Sequence, residues 1–212
     1  MFKKLKYVLV MLTSLPLLGC PTMQPKYLLK PEIIKAEGSY AHTASGMTFP
    51  LRIGNFQRVT VLRYDVEGLD MSAEYYLFTL SGAVDATVYV YPSPAIVSIC
   101  SPPEAVELAR DRLSQTEFEA VKQVILRCRD AAKLIQEGEV SLLRGRVVYS
   151  GKMATFEFEN AFAQTLKSYL YLFCYVGGKW TVKFRFTYPK NFDGSKEMEG
   201  FMQNLPWTLT GS

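Results

Sequence analysis

The strongest constraint in this chain is a pair of apolar, aromatic runs, Lys167 to Val176 and Lys179 to Tyr188, separated by Gly177-Gly178. Both are rich in β-branched and aromatic residues, which suit a pleated, half-buried surface. The two glycines can take the positive φ angles of a tight turn, so the runs are expected to pair as an antiparallel hairpin. With Val176 opposite Lys179, Tyr175 would face Trp180, Phe173 Val182, Tyr171 Phe184 and Tyr169 Phe186, all on one face. The other face sets Leu172 against Lys183 and Leu170 against Arg185, a mixed surface suited to partial cover by a helix. A chain holding this hairpin must build a sheet around it.

Other segments supply the neighbours. Met153 to Glu159 alternates, with Ala154, Phe156 and Phe158 opposite Thr155, Glu157 and Glu159. Phe56 to Tyr64, Met71 to Leu80 and Val84 to Tyr91 read as strands punctuated by Gly68 and Gly82, the last ended by Pro92 and Pro94. Within Val84 to Tyr91 the valine-rich face opposes Asp85, Thr87, Tyr89 and Tyr91. Pro102-Pro103 open a helix over Glu104 to Leu113, and Ser114-Gln115-Thr116-Glu117 reads as the capping box of a second. In that second helix Phe118, Val121, Ile125, Cys128 and Ala132 form an apolar stripe, leaving Lys122, Arg127, Arg129 and Lys133 solvated. Asp193 caps a last helix bearing Met198, Phe201, Met202 and Leu205, stopped by Pro206.

The order β-β-β-α-α-β-β-β-α predicts an α+β fold: a largely antiparallel sheet of about six strands covered by helices, a layered sandwich. From about Met47 to Trp207 this order is similar to that of the PsbP-like α/β/α sandwich domains. The resemblance implies a non-catalytic assembly or binding factor.

The first twenty residues carry an address. Lys3, Lys4 and Lys6 precede an uncharged run from Tyr7 to Leu18, about a dozen residues where a membrane-spanning helix needs about 20. The following Leu17-Leu18-Gly19-Cys20 resembles the lipobox of bacterial lipoprotein precursors. That resemblance implies a signal peptide over residues 1–19, acylation of Cys20, a lipid-anchored tether over 20–46 with Pro21, Pro25 and Pro31, and a single α+β domain over 47–212. The protein would face the periplasm or cell exterior, held to the membrane by acyl chains. Pro21 stands where an inner-membrane retention aspartate would, which favours the outer membrane in a Gram-negative cell.

The anchor also revises the charge. The chain has 24 basic and 20 acidic residues and a formal charge of +4. Cleavage before Cys20 removes three lysines and no acid, leaving 21 against 20. A domain so balanced has no global electrostatic case for nucleic-acid binding.

Chemistry is sparse. There is no G-x-S-x-G elbow, G-x-G-x-x-G, P-loop or H-E-x-x-H, and no cofactor or metal is expected. His42, the single histidine, falls in the tether and is expected to be exposed. Asp65, Glu67 and Asp70 lack the ligand order of a calcium loop and read as solvated turn residues. Cys100, Cys128 and Cys174 leave the pairing of any disulfide open, although Cys128 and Cys174 read as small buried hydrophobes. Tyr169, Tyr171, Tyr175 and Trp180 read as core, whereas Tyr89 and Tyr91 are the candidates for a ligand or partner surface. The expectation is a non-catalytic, lipid-anchored envelope protein that binds or positions a partner, itself an envelope protein. Alternatives are an envelope hydrolase using carboxylates such as Glu157 and Glu159, roughly 7 Å apart along a strand, or a structural lipoprotein.

Overall fold

A computed structural model describes residues 26–79, 82–96, 102–129 and 131–207. In chain order the elements are β1 (Tyr27–Ile34), β2 (Tyr40–Ala41), β3 (Thr48–Phe49), β4 (Arg52–Ile53), β5 (Phe56–Asp65), β6 (Met71–Thr79), β7 (Gly82–Pro92), α1 (Pro103–Cys128), β8 (Lys133–Arg144), β9 (Val147–Glu159), β10 (Thr165–Val176), β11 (Trp180–Pro189) and α2 (Ser195–Asn204). Nine strands form one sheet in the order β1-β5-β6-β7-β11-β10-β9-β8, with β4 added beside β5, and β2 pairs with β3 apart from it. Every pairing is antiparallel.

This architecture corrects the α+β expectation. The described residues are mostly strand, in one large antiparallel sheet with two helices, and do not form a helix-covered layered sandwich. They do not show a PsbP-like fold either. Two misreadings account for the change. Glu104 to Leu113 and the segment after it are one 26-residue helix. The Ser114-Gln115-Thr116-Glu117 sequence lies inside that helix, where the Thr116 hydroxyl donates to the Arg112 carbonyl at 3.0 Å instead of capping. Meanwhile the sheet gains β1 and β8, edge strands whose exposed residues give no period-two signal, and the two-residue β4.

The central hairpin behaves as its alternation predicts, up to the turn. Tyr169 lies opposite Phe186, Tyr171 opposite Phe184 and Phe173 opposite Val182, while Leu172 meets Lys183 and Leu170 meets Arg185. The register then shifts, so Val176 faces Trp180, and Tyr175 turns away at φ 56°. Ser93 causes the break chemically: its Oγ accepts the Tyr175 N–H at 2.9 Å, and the Tyr175 hydroxyl donates to the Pro94 carbonyl at 3.0 Å. Tyr175 is a bulge residue outside the core. Trp180 is buried, and Tyr169 and Tyr171 pack partly buried against the core.

The sheet has two unlike faces. On one, Phe173, Phe184, Phe186, Val182 and the inward side chains of β5 to β7 meet Phe201, Met198 and Met202 of α2, with Trp207 closing the end. Ring centroids of Phe201 lie 5.5 Å from Phe186 and 5.0 Å from Phe56, within the 4.5–7 Å range of favourable aromatic pairs. On the other face α1 sets Phe118 and Ile125 against Ala154, Phe156, Leu170 and Leu172. This second core is small and leaves part of the face under α1 unfilled.

The segment expected to be a tether joins the sheet from Tyr27 onward. β1 pairs with β5, and Arg58 of β5, itself buried, donates to the carbonyls of Phe49, Ala36 and Gly38. His42 is 1% exposed, not a surface residue. Its Nδ1 lies 2.6 Å from Ser45 Oγ, its Nε2 lies 2.8 Å from the Gly68 carbonyl oxygen, and its ring meets Trp180 edge-on. Burial holds its pKa below the ordinary value.

Candidate functional site

Strand alternation places Tyr89 and Tyr91 of β7 and Lys183 and Arg185 of β11 on the face below α1, because Val88, Val90, Val182 and Phe184 occupy the core face. β7 and β11 are neighbours, with Lys183 opposite Tyr89 and Thr181 opposite Tyr91. The helix crosses above them and contributes Glu117. The result is a cleft with two connected parts that share Tyr89, Glu117 and Lys183.

The outer part, about 420 Å³, is bounded by Tyr27, Tyr64, Asp70, Tyr91 and the shared residues. The inner part, about 310 Å³, runs beneath α1 against Val121, Val124, Ile125, Leu170 and Arg185. Tyr89 and Tyr91, expected as a surface, are half-buried walls of this cleft. The Tyr91 hydroxyl donates to Glu117 Oε1 at 2.8 Å, and Tyr64 tilts against Tyr89 at 6.3 Å between centroids. Burial pushes the Tyr89 hydroxyl up to about 12, and burial together with the Glu117 carboxylate raises Tyr91 further.

Lys183 is the centre of the arrangement. Its Nζ lies 3.9 Å from the Tyr89 ring centroid and 5.5 Å from that of Tyr91, a cation over two π faces. Among the described residues it has no carboxylate within ion-pairing distance. Desolvation lowers its pKa to about 8, against the pull of Asp70 and Glu117. Arg185, two residues along the strand, donates from Nε to Ser168 Oγ at 3.3 Å, but its buried Nη2 has no hydrogen-bond partner. Asp70 at the mouth is pushed up to about 6 by burial, partly offset by Lys183. Two cations thus line one wall of a half-buried cleft, near Glu117 and Asp70 but with no carboxylate within ion-pairing distance among the described residues, a costly arrangement.

The remaining candidates separate from this cleft. Asp65 is buried, and its Oδ1 accepts the N–H groups of Leu69 and Asp70, so it shapes the turn and is not solvated as expected. Among the described residues no three His, Cys, Asp or Glu side chains form a metal-holding group. Glu157 is ion-paired with Lys190 at 2.8 Å, and neither it nor Glu159 lines a described cavity. Cys128 is exposed at the end of α1 and Cys174 is half-buried; both are free thiols. Cys100 and Cys20 lie outside the described residues. Lys122, expected in solvent, is buried between Glu119 and Glu137, compensated where Lys183 is not.

A larger hollow of about 590 Å³ lies between the first half of α1 and strands β8 to β10. There Arg110 pairs with Glu107 and Lys152 with Glu139, each at 2.7 Å, although the buried Arg110 Nε has no hydrogen-bond partner. Another hollow of about 620 Å³ lies between the β8–β9 turn and the end of α2, so size singles out neither, whereas a half-buried cation without an ion pair sets the Lys183 cleft apart. Sequence reasoning named Tyr89 and Tyr91 but missed Lys183, Arg185 and Glu117. The available signal was a pair of basic residues interrupting an aromatic strand on the face that also carries Leu170 and Leu172. Among the described residues no helix is long and apolar enough to cross a membrane. No protein family matches the chain, and no curated protein matches it.

Proposed function

We propose that this chain is a non-catalytic, lipid-anchored domain of the bacterial cell envelope that binds or positions a partner through the cleft between α1 and the sheet. The observation that carries the reading is the pair of cations, Lys183 and Arg185, on the wall of an aromatic cleft without an ion-pair partner among the described residues. A protein core has no use for such charges, and binding sites commonly hold them because a ligand supplies the missing partner.

The anchor rests on Leu17-Leu18-Gly19-Cys20 and the basic and apolar runs before it. From Cys20 to Tyr27 the chain can extend at most about 25 Å. Acylation at Cys20 would therefore hold the sheet close to the lipid, with Tyr27 of the cleft mouth nearest the anchor.

Two experiments test the parts separately. Metabolic labelling with a fatty acid should mark the protein and leave the Cys20→Ala variant unlabelled; label on the variant would remove the anchor. A photoreactive residue replacing Val124, exposed on the cleft rim, should crosslink in intact envelopes, whereas one replacing the exposed Phe162 should not. Crosslinks from position 162 alone would remove the cleft.

A further inference from the structure

The inner part of the cleft has a two-part chemistry. One end offers Lys183 and Arg185, whose Nη2 is buried and without a partner. Tyr89 and Glu117 stand where this part meets the outer one, and the remaining lining is hydrocarbon: Ala120, Val121, Val124 and Ile125 from α1 and Leu170 from β10. Its volume of about 310 Å³ equals about ten water molecules at roughly 30 Å³ each. Water filling it would meet few hydrogen-bond partners along the apolar wall and gain little there. A small ion would satisfy Lys183 and Arg185 and leave that wall wet. Only a molecule joining an anionic group to a hydrocarbon chain matches both ends.

We propose that this chamber binds a single-chain amphiphile with an anionic head, the head between Lys183 and Arg185 and the chain along Val121, Val124, Ile125 and Leu170. The proposal rests on the cleft being the binding site and names the ligand class it takes. Electrostatics decide the orientation. Asp70 lines only the outer part and Arg185 only the inner one, with Glu117 where the two meet, so an anion is repelled at the mouth and attracted further in. The Glu117 carboxylate is engaged by the Tyr91 hydroxyl at 2.8 Å. Lys183 already rests on the Tyr89 ring, so an entering head meets an ammonium held in place and loses little to ordering it. Carboxylate and phosphate heads both fit. A guanidinium can donate to either in bidentate fashion, and the choice between them is an arm of the experiment.

The test uses the acylated full chain in phospholipid nanodiscs with a photoreactive twelve-carbon fatty acid, the adducts being mapped by peptide mass spectrometry. Label should concentrate on residues 118–126 of α1 and on β10. Dodecanoate or dodecyl phosphate should compete at least tenfold better than dodecanol, and acetate and inorganic phosphate should not compete. Whichever anionic amphiphile competes better identifies the head. Labelling should fall at least tenfold in the Lys183→Met/Arg185→Gln variant, with circular dichroism confirming an unchanged sheet. In Val124→Glu, an exposed position where folding is not at stake, labelling should fall while the head-group residues stay intact. Equal competition by dodecanol, label spread evenly over the surface, or full labelling of both variants would overturn the proposal. If the fatty acid leaves the chamber unlabelled while position 124 still crosslinks in envelopes, the ligand class is wrong and the cleft stands; if both are silent, the cleft reading falls with it.

Discussion

Replacing Lys183 with methionine should make the protein more stable, the reverse of most substitutions below a helix. The ammonium titrates at about 8 instead of 10.5, and at about 1.4 kcal/mol per pKa unit its charged form is disfavoured in the fold by about 3 kcal/mol. Lys183 keeps partial solvent contact, so screening reduces the recoverable part, and a gain of about 1 to 3 kcal/mol at pH 7 is expected. Methionine keeps the unbranched stem over Tyr89 and forfeits only the cation over the rings, about 0.5–1 kcal/mol. Urea unfolding followed through Trp180 and Trp207 measures the difference. Its pH dependence carries a second signature. Between about pH 8 and 10.5 the unfolded chain holds more protons at Lys183 than the folded one, so wild-type stability rises with pH in that window. The advantage of the variant should therefore shrink from pH 7 to pH 9.5, a comparison in which the tyrosines common to both proteins cancel. A variant less stable than wild type at pH 7, or an advantage that does not change with pH, would refute the idea that Lys183 sits at a thermodynamic cost.

Three further predictions concern the frame around the cleft. His42 has a lowered pKa, so the folded state binds fewer protons; its contribution is present above pH 6.5 and is lost as pH falls. Relative to His42→Asn, the wild-type protein should lose stability between pH 6.5 and 5, a comparison that cancels the opposite trend from the raised pKa of Asp70; parallel curves would show that His42 does not couple to the fold. Arg58→Met removes donors from the carbonyls of Phe49, Ala36 and Gly38 and should cost about 3 kcal/mol, since a hydrogen bond from a charged donor is worth about 1.5–3 kcal/mol, with hydrogen exchange accelerating first over residues 36–49. A methyl group at Gly151 would sit 2.6 Å from the Leu172 carbonyl oxygen and the Phe173 ring, so Gly151→Ala should destabilise by about 1–3 kcal/mol and lower the thermal midpoint; an unchanged midpoint would mean β9 and β10 can move apart freely.

The elements legible in the sequence were those with one buried face. β5, β6, β7, β10 and β11 alternate because one side meets the core of Phe184, Phe186 and Phe201, and the pairing of Tyr169, Tyr171 and Phe173 followed from alternation alone. β8 was not legible, because Glu137, Gly138 and Glu139 stand in solvent and nothing selects their alternation. The single long helix was hidden by Thr116, whose hydroxyl can cap a helix or bond back within one, a choice made by the packing of Phe118 and Ile125. Local pattern also placed His42 in a tether, since its burial depends on Gly68 and Trp180, far along the chain. The cleft was half visible for the same reason: Tyr89 and Tyr91 stood out against a valine face, whereas Lys183 acquires its meaning only once α1 shields it with no carboxylate within ion-pairing distance.

The most direct measurement is the titration of Lys183 itself, by NMR of a selectively labelled side chain with Lys183→Met fixing the assignment. The account predicts an ammonium that titrates near 8 in the free protein and moves upward when an anionic ligand fills the cleft, because the bound charge stabilises the protonated form. Titration at the ordinary lysine value, unmoved by any ligand, would show a solvated side chain and contradict the assignment of this cleft.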